Sequence, residues 1–366
     1  MVTLEELVGQ KLVFGIEGPQ PTAEEIELFR KTHAGGLILF ERNFEEKGTV
    51  PKKGDSPLFL LSKLISDLER AAGRRLLVMV DHEGGRVVRF KEGVTPFPDA
   101  ATSARAGRPD WVRRQGEIEA LELRRLGIDL NLAPVLDVLG PRPNPVVGDR
   151  SYGNDPELVG KFGRARIEGM KSKGLRSCAK HYPGLGEAVL DPHVELPTVQ
   201  KNWNSVKRTD LLPFIEAFEV PVDCVMSTHV VYPQIEPEAR PATFSRRLIH
   251  DLLRLEFGYS GVVLTDDLKM GAISKSVSLR EAVPLTARAG HDLLLVCSDR
   301  KSQEEAFDAL VGAYQNREIK ISELEESVER ISRLKEGLGE RFSKGPAVPE
   351  EDGRALATKM LSPLSF

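Results

Sequence analysis

Eight short apolar runs recur along the chain, and almost every other feature is arranged around them. They cover residues 12–16, 36–40, 76–81, 130–135, 177–181, 224–229, 261–267 and 292–297. Their hydrophobicity is nearly continuous rather than alternating, which is typical of parallel strands that are buried on both faces. Because parallel strands are joined by helical crossovers, the runs predict an α/β fold.

The segments between the runs carry helical periodicity. Apolar residues in 211–218 fall at i, i+3, i+4 and i+7, and those in 307–314 repeat the spacing. Ser322 followed by Glu325 predicts a capping box at the start of a late helix. The apolar face of that helix comprises Leu324, Val328 and Ile331.

Eight β/α units within about 300 residues predict a single-domain (β/α)8 barrel of the TIM type, with an open doubly wound sheet as the alternative. We assign residues 1–338 to the barrel and 339–366 to a C-terminal tail that resembles a frayed extension. Segments 41–56 and 139–156 are rich in Gly, Pro and charge, and we expect them to be long loops.

The charge balance excludes some partners. The 51 Lys and Arg residues nearly match the 55 Asp and Glu residues, for a net charge of −4, so we expect no nucleic-acid partner. No apolar run approaches the roughly 18 residues of a membrane span. The acidic N-terminal segment and three scattered cysteines predict a cytoplasmic protein with reduced thiols. The seven histidines lack metal-binding spacings, so neither a metal nor another cofactor is expected.

Several charged or titratable residues stand where the apolar runs end. They are Asp81, Lys180, His181, His229, Asp266 and Asp267. In a barrel the carboxyl ends of the strands converge on one face, which is where active sites lie. The sequence therefore predicts a catalytic site built from these residues.

Two of the strand ends are followed by arginines. Asp81 opens the segment DHEGGRVVRF, and its carboxylate either accepts hydrogen bonds from substrate hydroxyls or ties the loop down by pairing with Arg86 or Arg89. Arg150, after the fourth run, either clamps a substrate or lies solvated in its loop. Spacing alone leaves these alternatives open.

A long loop rich in Gly and Pro follows Lys180 and His181. It carries Asp191 and His193, a spacing that lets a carboxylate hold a histidine as general acid/base. The spacing alone favours a surface histidine in a turn, but so long a loop in a compact domain usually has a function. Adjacent Asp266 and Asp267 point in opposite directions on a strand, so one is a candidate nucleophile and the other packs sideways against backbone amides or a base. His229 lies behind the substrate or in the core.

Seven motifs, in order from about Leu7 to about Cys297, resemble the family 3 glycoside hydrolases, and most closely their β-N-acetylglucosaminidase branch. They are GGLILFERN, DHEGGRVVR, NLAPVLDV, DRSYG, KHYPGLG followed by DPH, MSTHVVYP and TDDLKM. Together they are far more specific than any one of them.

The resemblance implies a retaining mechanism in which Asp266 is the nucleophile and His193, paired with Asp191, is the acid/base. It also implies a set of sugar-binding residues, to which we add His229 from its strand-end position. That set is Asp81, Arg89, Arg150, Lys180, His181 and His229. Only about 70 residues follow Cys297, so we expect no second domain to supply the acid.

The expected activity is that of a retaining exo-β-N-acetylglucosaminidase acting on small glycosides such as muropeptides in cell-wall recycling, as a monomer or weak oligomer. Three alternatives remain open at this point: a phosphorylase, a Schiff-base lyase using Lys180, and a non-catalytic sugar-binding barrel. Two positions depart from the family pattern. Leu185 replaces a common histidine, and Pro192 stiffens the step between Asp191 and His193.

Overall fold

Each of the eight apolar runs coincides with or overlaps a β-strand, as predicted. This computed structural model describes residues 2–44, 57–91, 93–188, 196–339, 341 and 350–362. The strands are β1 Leu12–Phe14, β2 Gly36–Leu39, β3 Leu77–Val80, β4 Leu130–Asn131, β5 Arg176–Tyr182, β6 Cys224–Ser227, β7 Val262–Thr265 and β8 Leu294–Val296.

All the strand pairs are parallel, and the sheet curls into a ring. Hydrogen-bonded neighbours follow the order β7-β6-β5-β4-β3-β2-β1-β8. A parallel bridge between Leu264 and Leu293 joins the two ends of this series. The closure confirms the (β/α)8 barrel and excludes the open doubly wound sheet.

The strands are apolar throughout because both of their faces are buried. In β3, Leu77 and Met79 belong to the cluster inside the barrel, whereas Val78 and Val80 pack among the surrounding helices. Successive side chains of a strand point to opposite faces, so a strand between two apolar layers needs no polar face.

Helices surround the ring. They are α1 Leu4–Gly9, α2 Ala23–Thr32, α3 Pro57–Ala72, α4 Ala100–Arg105, α5 Pro109–Arg125, α6 Pro156–Ser172, α7 Trp203–Arg208, α8 Leu212–Glu219, α9 Gly271–Ser274, α10 Leu279–Ala289, α11 Arg300–Gln315, α12 Ile321–Lys335 and α13 Glu350–Leu361, with a π-helical segment at Arg247–Glu256. Among the described residues, no helix is long and apolar enough to cross a bilayer.

The predicted apolar faces are buried or partly buried, but one helix start differs from the prediction. On α12, Leu324 and Ile331 are fully buried and Val328 is partly buried. The prediction of a capping box from Ser322 to Glu325 is wrong. Lys320 is the N-cap residue, and its side chain makes no capping hydrogen bond. Ser322 lies inside the first turn, where its hydroxyl is not in the capping position.

The prediction of a frayed C-terminal tail is also wrong over residues 350–361. These form α13, whose Leu356, Ala357 and Met360 are at most 9% exposed and join an apolar cluster of the barrel. Burial of this apolar stripe explains why the helix is ordered against the barrel.

Charged groups at the amino ends of the strands hold the ring closed. Lys11 precedes β1, and its ammonium donates to the carbonyl of His291 (2.8 Å) and to Ser327 Oγ (2.6 Å) on α12. Asp292 accepts hydrogen bonds from Ser327 Oγ (2.8 Å) and the backbone N–H of Val263 (2.9 Å). First strand, last strand and α12 therefore meet at one buried point.

Candidate active site

Four of the six predicted strand-end residues, Asp81, Lys180, His181 and Asp266, line a cavity of about 270 Å³ at the carboxyl face of the barrel. Its described lining residues are Asp81, Glu83, Arg86, Val87, Arg89, Pro145, Val146, Arg150, Lys180, His181, Leu185, Met226, Asp266 and Met270. A volume of this size suits a small ligand, and charged groups outnumber apolar ones on its wall.

Lys180 anchors the polar wall from β5. Its ammonium, 2% exposed, lies 2.7 Å from Asp81 Oδ1 and 2.6 Å from Glu83 Oε1. Burial lowers the pKa of Lys180, but the two carboxylates outweigh that effect and raise it. Lys180 is therefore a cation, and the Schiff-base alternative, which needs a neutral amine, loses its chemical basis.

Glu83 joins Lys180 to Arg150. Arg150 Nε and Nη2 donate to the two carboxylate oxygens of Glu83, each at 2.8 Å, in a bidentate pair. Burial raises the pKa of Glu83, yet Lys180 and Arg150 together lower it well below its usual range. Arg150 therefore lies fixed in the wall rather than solvated in its loop.

The glycine turn after β3 is held from below by a buried ion pair. Arg166 on α6 donates to the carbonyls of Glu83 (2.7 Å) and His82 (3.2 Å) and pairs with Glu119 of α5 at 2.9 Å. Gly116 on α5 allows the two helices to approach this closely because it has no Cβ. A Cβ at this position would lie only 2.5 Å from the carbonyl oxygen of Arg166. The helix pair thereby positions Glu83.

The two arginines after Asp81 have different surroundings. Arg89 lines the cavity with Nη2 3.6 Å from Asp81 Oδ2. Arg86 binds Asp149 at 2.7 Å and the carbonyl of Val146 at 2.8 Å, so it links the loop after β3 to the loop after β4. Asp81, 19% exposed, keeps an open side toward the cavity.

His181 is oriented by a carboxylate that the sequence analysis did not single out. Its Nδ1 lies 2.7 Å from Asp137 Oδ2, and Asp137 Oδ1 accepts the backbone N–H of Leu185 at 2.6 Å. Asp137 is fully buried, so it fixes the ring and the start of the following loop together. The bond leaves His181 Nε2 as the nitrogen for a ligand.

Asp266 and Asp267 point in opposite directions, as predicted. Asp267 packs sideways, and its Oδ1 accepts the backbone N–H groups of Lys269 and Cys297, each at 3.2 Å. Asp266 lines the cavity, is partly exposed, and accepts the backbone N–H of Asp267 at 2.9 Å. One carboxylate is thus structural, and the other faces the space where a ligand binds.

The two carboxylates also differ in acidity. Burial raises the pKa of Asp267 above its usual value. Burial raises the pKa of Asp266 as well, but electrostatic interactions with His229, His181 and Lys180 and the hydrogen bond from the Asp267 amide outweigh this, so the net pKa is lowered. Asp266 is therefore ionised at neutral pH, as attack on an electrophilic carbon requires.

His229 lies behind the cavity wall. Its ring is buried, with Nδ1 2.6 Å from Thr243 Oγ1 and Nε2 3.0 Å from the carbonyl oxygen of Asp267. It is not among the described residues that line the cavity. The structure therefore gives no support to direct substrate contact by His229 and places it beside the nucleophile candidate instead.

The predicted acid/base pair lies outside the described residues. Asp191, Pro192 and His193 fall within 189–195, so the structure does not place them. Leu185, three residues after the end of β5, is among the described residues that line the cavity. An apolar side chain thus stands where many family members have histidine.

Sequence reasoning missed Glu83 and Asp137. Glu83 is two residues after Asp81, and that spacing on an extended segment was the available signal that both point the same way. Asp137 ends an apolar run, as Asp81 and Asp266 do, but it falls six residues beyond β4. Within the described ranges no group of three or more His, Cys, Asp or Glu side chains could hold a metal ion.

A closed (β/α)8 barrel with an ionised aspartate after β7, facing a pocket of charged hydrogen-bonding groups, offers a nucleophile at the face where barrel enzymes have their active sites. Residues 3–334 match the family model for the glycosyl hydrolase family 3 N-terminal domain. The chain belongs to this family and is a glycoside hydrolase.

Individual relatives support the same assignment. The chain is 35% identical to the beta-hexosaminidase of Tolumonas auensis over 82% of its own length and 86% of that protein. It is 33% identical to the beta-hexosaminidase of Idiomarina loihiensis, over 88% and 92%. A solved family 3 beta-N-acetylglucosaminidase from Paenibacillus sp. str. FPU-7 superposes with a TM-score of 0.90 at 36% identity, covering 98% of this chain and 68% of that one.

Proposed function

We propose that the protein is a retaining exo-β-N-acetylglucosaminidase that removes β-linked N-acetylglucosamine from small glycosides. The observation that carries the proposal is the partly exposed, ionised carboxylate of Asp266 in a pocket of fixed charged groups. The substrate class is supported by relatives named beta-hexosaminidase and beta-N-acetylglucosaminidase. Muropeptide fragments of the cell wall are the natural substrates that we propose.

In the first step Asp266 attacks the anomeric carbon and forms a glycosyl ester, while the bond to the leaving oxygen breaks. His193, oriented by Asp191, gives its proton to that oxygen. In the second step His193 takes a proton from water, the water oxygen bonds to the anomeric carbon, and Asp266 leaves as a carboxylate. The configuration at the anomeric carbon is therefore retained.

The polar wall suits a neutral sugar. Asp81 and Nε2 of His181 accept from substrate hydroxyls, and Arg89, Arg150 and Lys180 donate to oxygens of the sugar. Hydrogen bonds to charged groups are stronger than neutral ones, and these groups are held in place before the ligand binds.

We also propose that the enzyme acts in the cytoplasm. Cys178, Cys224 and Cys297 are buried free thiols, which agrees with a reducing compartment. Small wall fragments taken up for recycling would be its substrates there.

The nucleophile assignment is tested by trapping. A 2-deoxy-2-fluoro glycosyl donor slows the second step and should leave a covalent adduct on Asp266, found by peptide mapping. Asp266→Asn should lower kcat by roughly 10⁴-fold, as loss of a nucleophile does in other enzymes. An adduct on another residue would overturn the assignment.

The reaction type is tested by product analysis. Aryl N-acetylglucosaminide should be cleaved much faster than aryl glucoside, and the product should be free sugar with phosphate present or absent. Glycosyl phosphate as the main product would make the enzyme a phosphorylase. Sugar binding without hydrolysis would make it a non-catalytic barrel.

A further inference from the structure

His229 is a buried histidine whose two ring nitrogens meet two different kinds of partner. It lies two residues beyond the end of β6 and is 1% exposed. Nδ1 is 2.6 Å from the hydroxyl oxygen of Thr243, and Nε2 is 3.0 Å from the carbonyl oxygen of Asp267. Both distances are those of hydrogen bonds, so the protons on the ring can be assigned from the partners.

The partners of the ring fit a proton on each nitrogen. A carbonyl oxygen only accepts, so Nε2 donates to Asp267. The Thr243 hydroxyl has a single proton and two acceptors within reach, His229 Nδ1 and the carbonyl of Thr228 at 3.0 Å, and the inference places the proton on the carbonyl. The Thr243 oxygen can therefore only accept from Nδ1. A ring that donates from both nitrogens is an imidazolium cation.

His291 provides a contrast within the same barrel. It also lies between a hydroxyl and a carbonyl, with Nε2 2.8 Å from Ser227 Oγ and Nδ1 3.1 Å from the carbonyl of Thr286. Within the described part of the chain the Ser227 hydroxyl has no other acceptor, so it donates to Nε2 and the ring is neutral. Burial, which lowers the pKa of His291 to about 3, agrees with this.

The charge of His229 lies where the nucleophile needs it. His229 binds the carbonyl of Asp267, and the N–H of Asp267 donates to Asp266 Oδ1 at 2.9 Å. One residue thus connects the imidazolium to the carboxylate. Although burial raises the pKa of Asp266, the charge of His229 is the largest of the effects that lower it.

We infer that His229 is a permanently protonated positioning residue whose imidazolium fixes the Asp267 backbone and favours the carboxylate form of Asp266. The inference rests on the proposed role of Asp266 as nucleophile. In the glycosyl ester the charge of Asp266 is gone while that of His229 remains. The cation therefore favours the step in which the bond from the anomeric carbon to Asp266 breaks and its electron pair returns to the carboxylate.

Other groups also act on Asp266. His181 and Lys180 from β5 lower its pKa too, and the Cys297 thiol after β8 is buried and its pKa is raised, so it stays uncharged. The effect of His229 is therefore one part of a larger field. Its removal should shift the acidity of Asp266 without abolishing ionisation at neutral pH.

The protonation state is tested directly by NMR of the ¹⁵N-labelled full chain without substrate. His229, assigned by the signals lost in His229→Gln, should show two protonated ring nitrogens up to pH 8, while His291 shows one. Thr243→Val removes the acceptor for Nδ1 and should let His229 become neutral, whereas Thr243→Ser retains the cation. A single neutral tautomer of His229 in the unmodified protein at pH 7 would overturn the inference.

Kinetics test the effect on the nucleophile. In His229→Gln the acidic limb of the kcat/KM profile should move upward by about one pH unit, and trapped glycosyl-enzyme should turn over about tenfold more slowly. A uniform loss at every pH, with the limb unmoved, would mean a purely structural role. If no aryl glycoside were cleaved at all, the proposed function would fail while the NMR result would stand independently.

Discussion

Glu83 is the residue on which the polar wall of the site depends. It accepts hydrogen bonds from Lys180 and Arg150 with both carboxylate oxygens and is 5% exposed. Glu83→Gln replaces one acceptor with an NH₂ group facing cations, which leaves buried charge uncompensated. We expect the free energy of unfolding at pH 7 to fall by about 3–5 kcal/mol, measured by urea denaturation.

The pH dependence of that loss has a defined sign. The pKa of Glu83 is lowered in the folded protein, so its contribution is present above the unfolded value of about 4.3 and lost as pH falls toward the folded value. The difference in the free energy of unfolding between the unmodified protein and Glu83→Gln should therefore become smaller only below about pH 4. Glu41→Gln, which removes an exposed pair with Lys91, is the control and should cost less than about 1 kcal/mol. Equal losses in both variants would contradict the account.

Asp137 acts on the site through His181. In Asp137→Asn an amide NH₂ faces Nδ1, which forces the other tautomer and turns the ring's free nitrogen into a donor. We expect kcat/KM on an aryl N-acetylglucosaminide to fall by about 10- to 100-fold, because a displaced contact group costs this much. Asp110→Asn, at the exposed start of α5, should leave the rate unchanged. Unchanged rates in both variants would mean that the tautomer of His181 has no role.

Among the elements, α13 differs most from its prediction. Its two last residues provide a matched pair, because Met360 is 0% exposed in the apolar cluster and Leu361 is 60% exposed. Met360→Ala should lower the free energy of unfolding by about 2–4 kcal/mol, and Leu361→Ala by less than about 0.5 kcal/mol, in the same denaturation experiment. Similar values for the two would mean that α13 is not docked in solution.

The elements also show what sequence can and cannot predict. The strands were predictable because burial on both faces leaves short apolar runs in the sequence. Asp81, Lys180 and Asp266 were predictable as site residues because each stands where such a run ends. Asp137 was not predicted because five residues of loop separate it from β4, and loop geometry has no period. α13 was not predicted because its apolar stripe is short and it packs on residues that are distant in sequence.

At the scale of the whole molecule, the charge balance makes a prediction about substrate capture. With 51 basic and 55 acidic residues, and charges in the site paired with one another, a neutral aryl glycoside experiences little long-range attraction. Its kcat/KM should change by less than about twofold between roughly 0.05 and 0.5 M salt, measured by initial rates. A steep salt dependence with a neutral substrate would mean that ion pairs of the site open during turnover.

The buried contacts of Lys11 also bear on how the chain folds as it is synthesised. Its partners His291 and Ser327 lie 280 and 316 residues further along, and β1 cannot pair with β8 before both exist. A nascent chain therefore carries the open edge of β1 through most of its translation, and such edges invite aggregation. Fragments that stop before β8 should precipitate or bind chaperones, so the ribosome must release nearly the whole barrel before the ring can close.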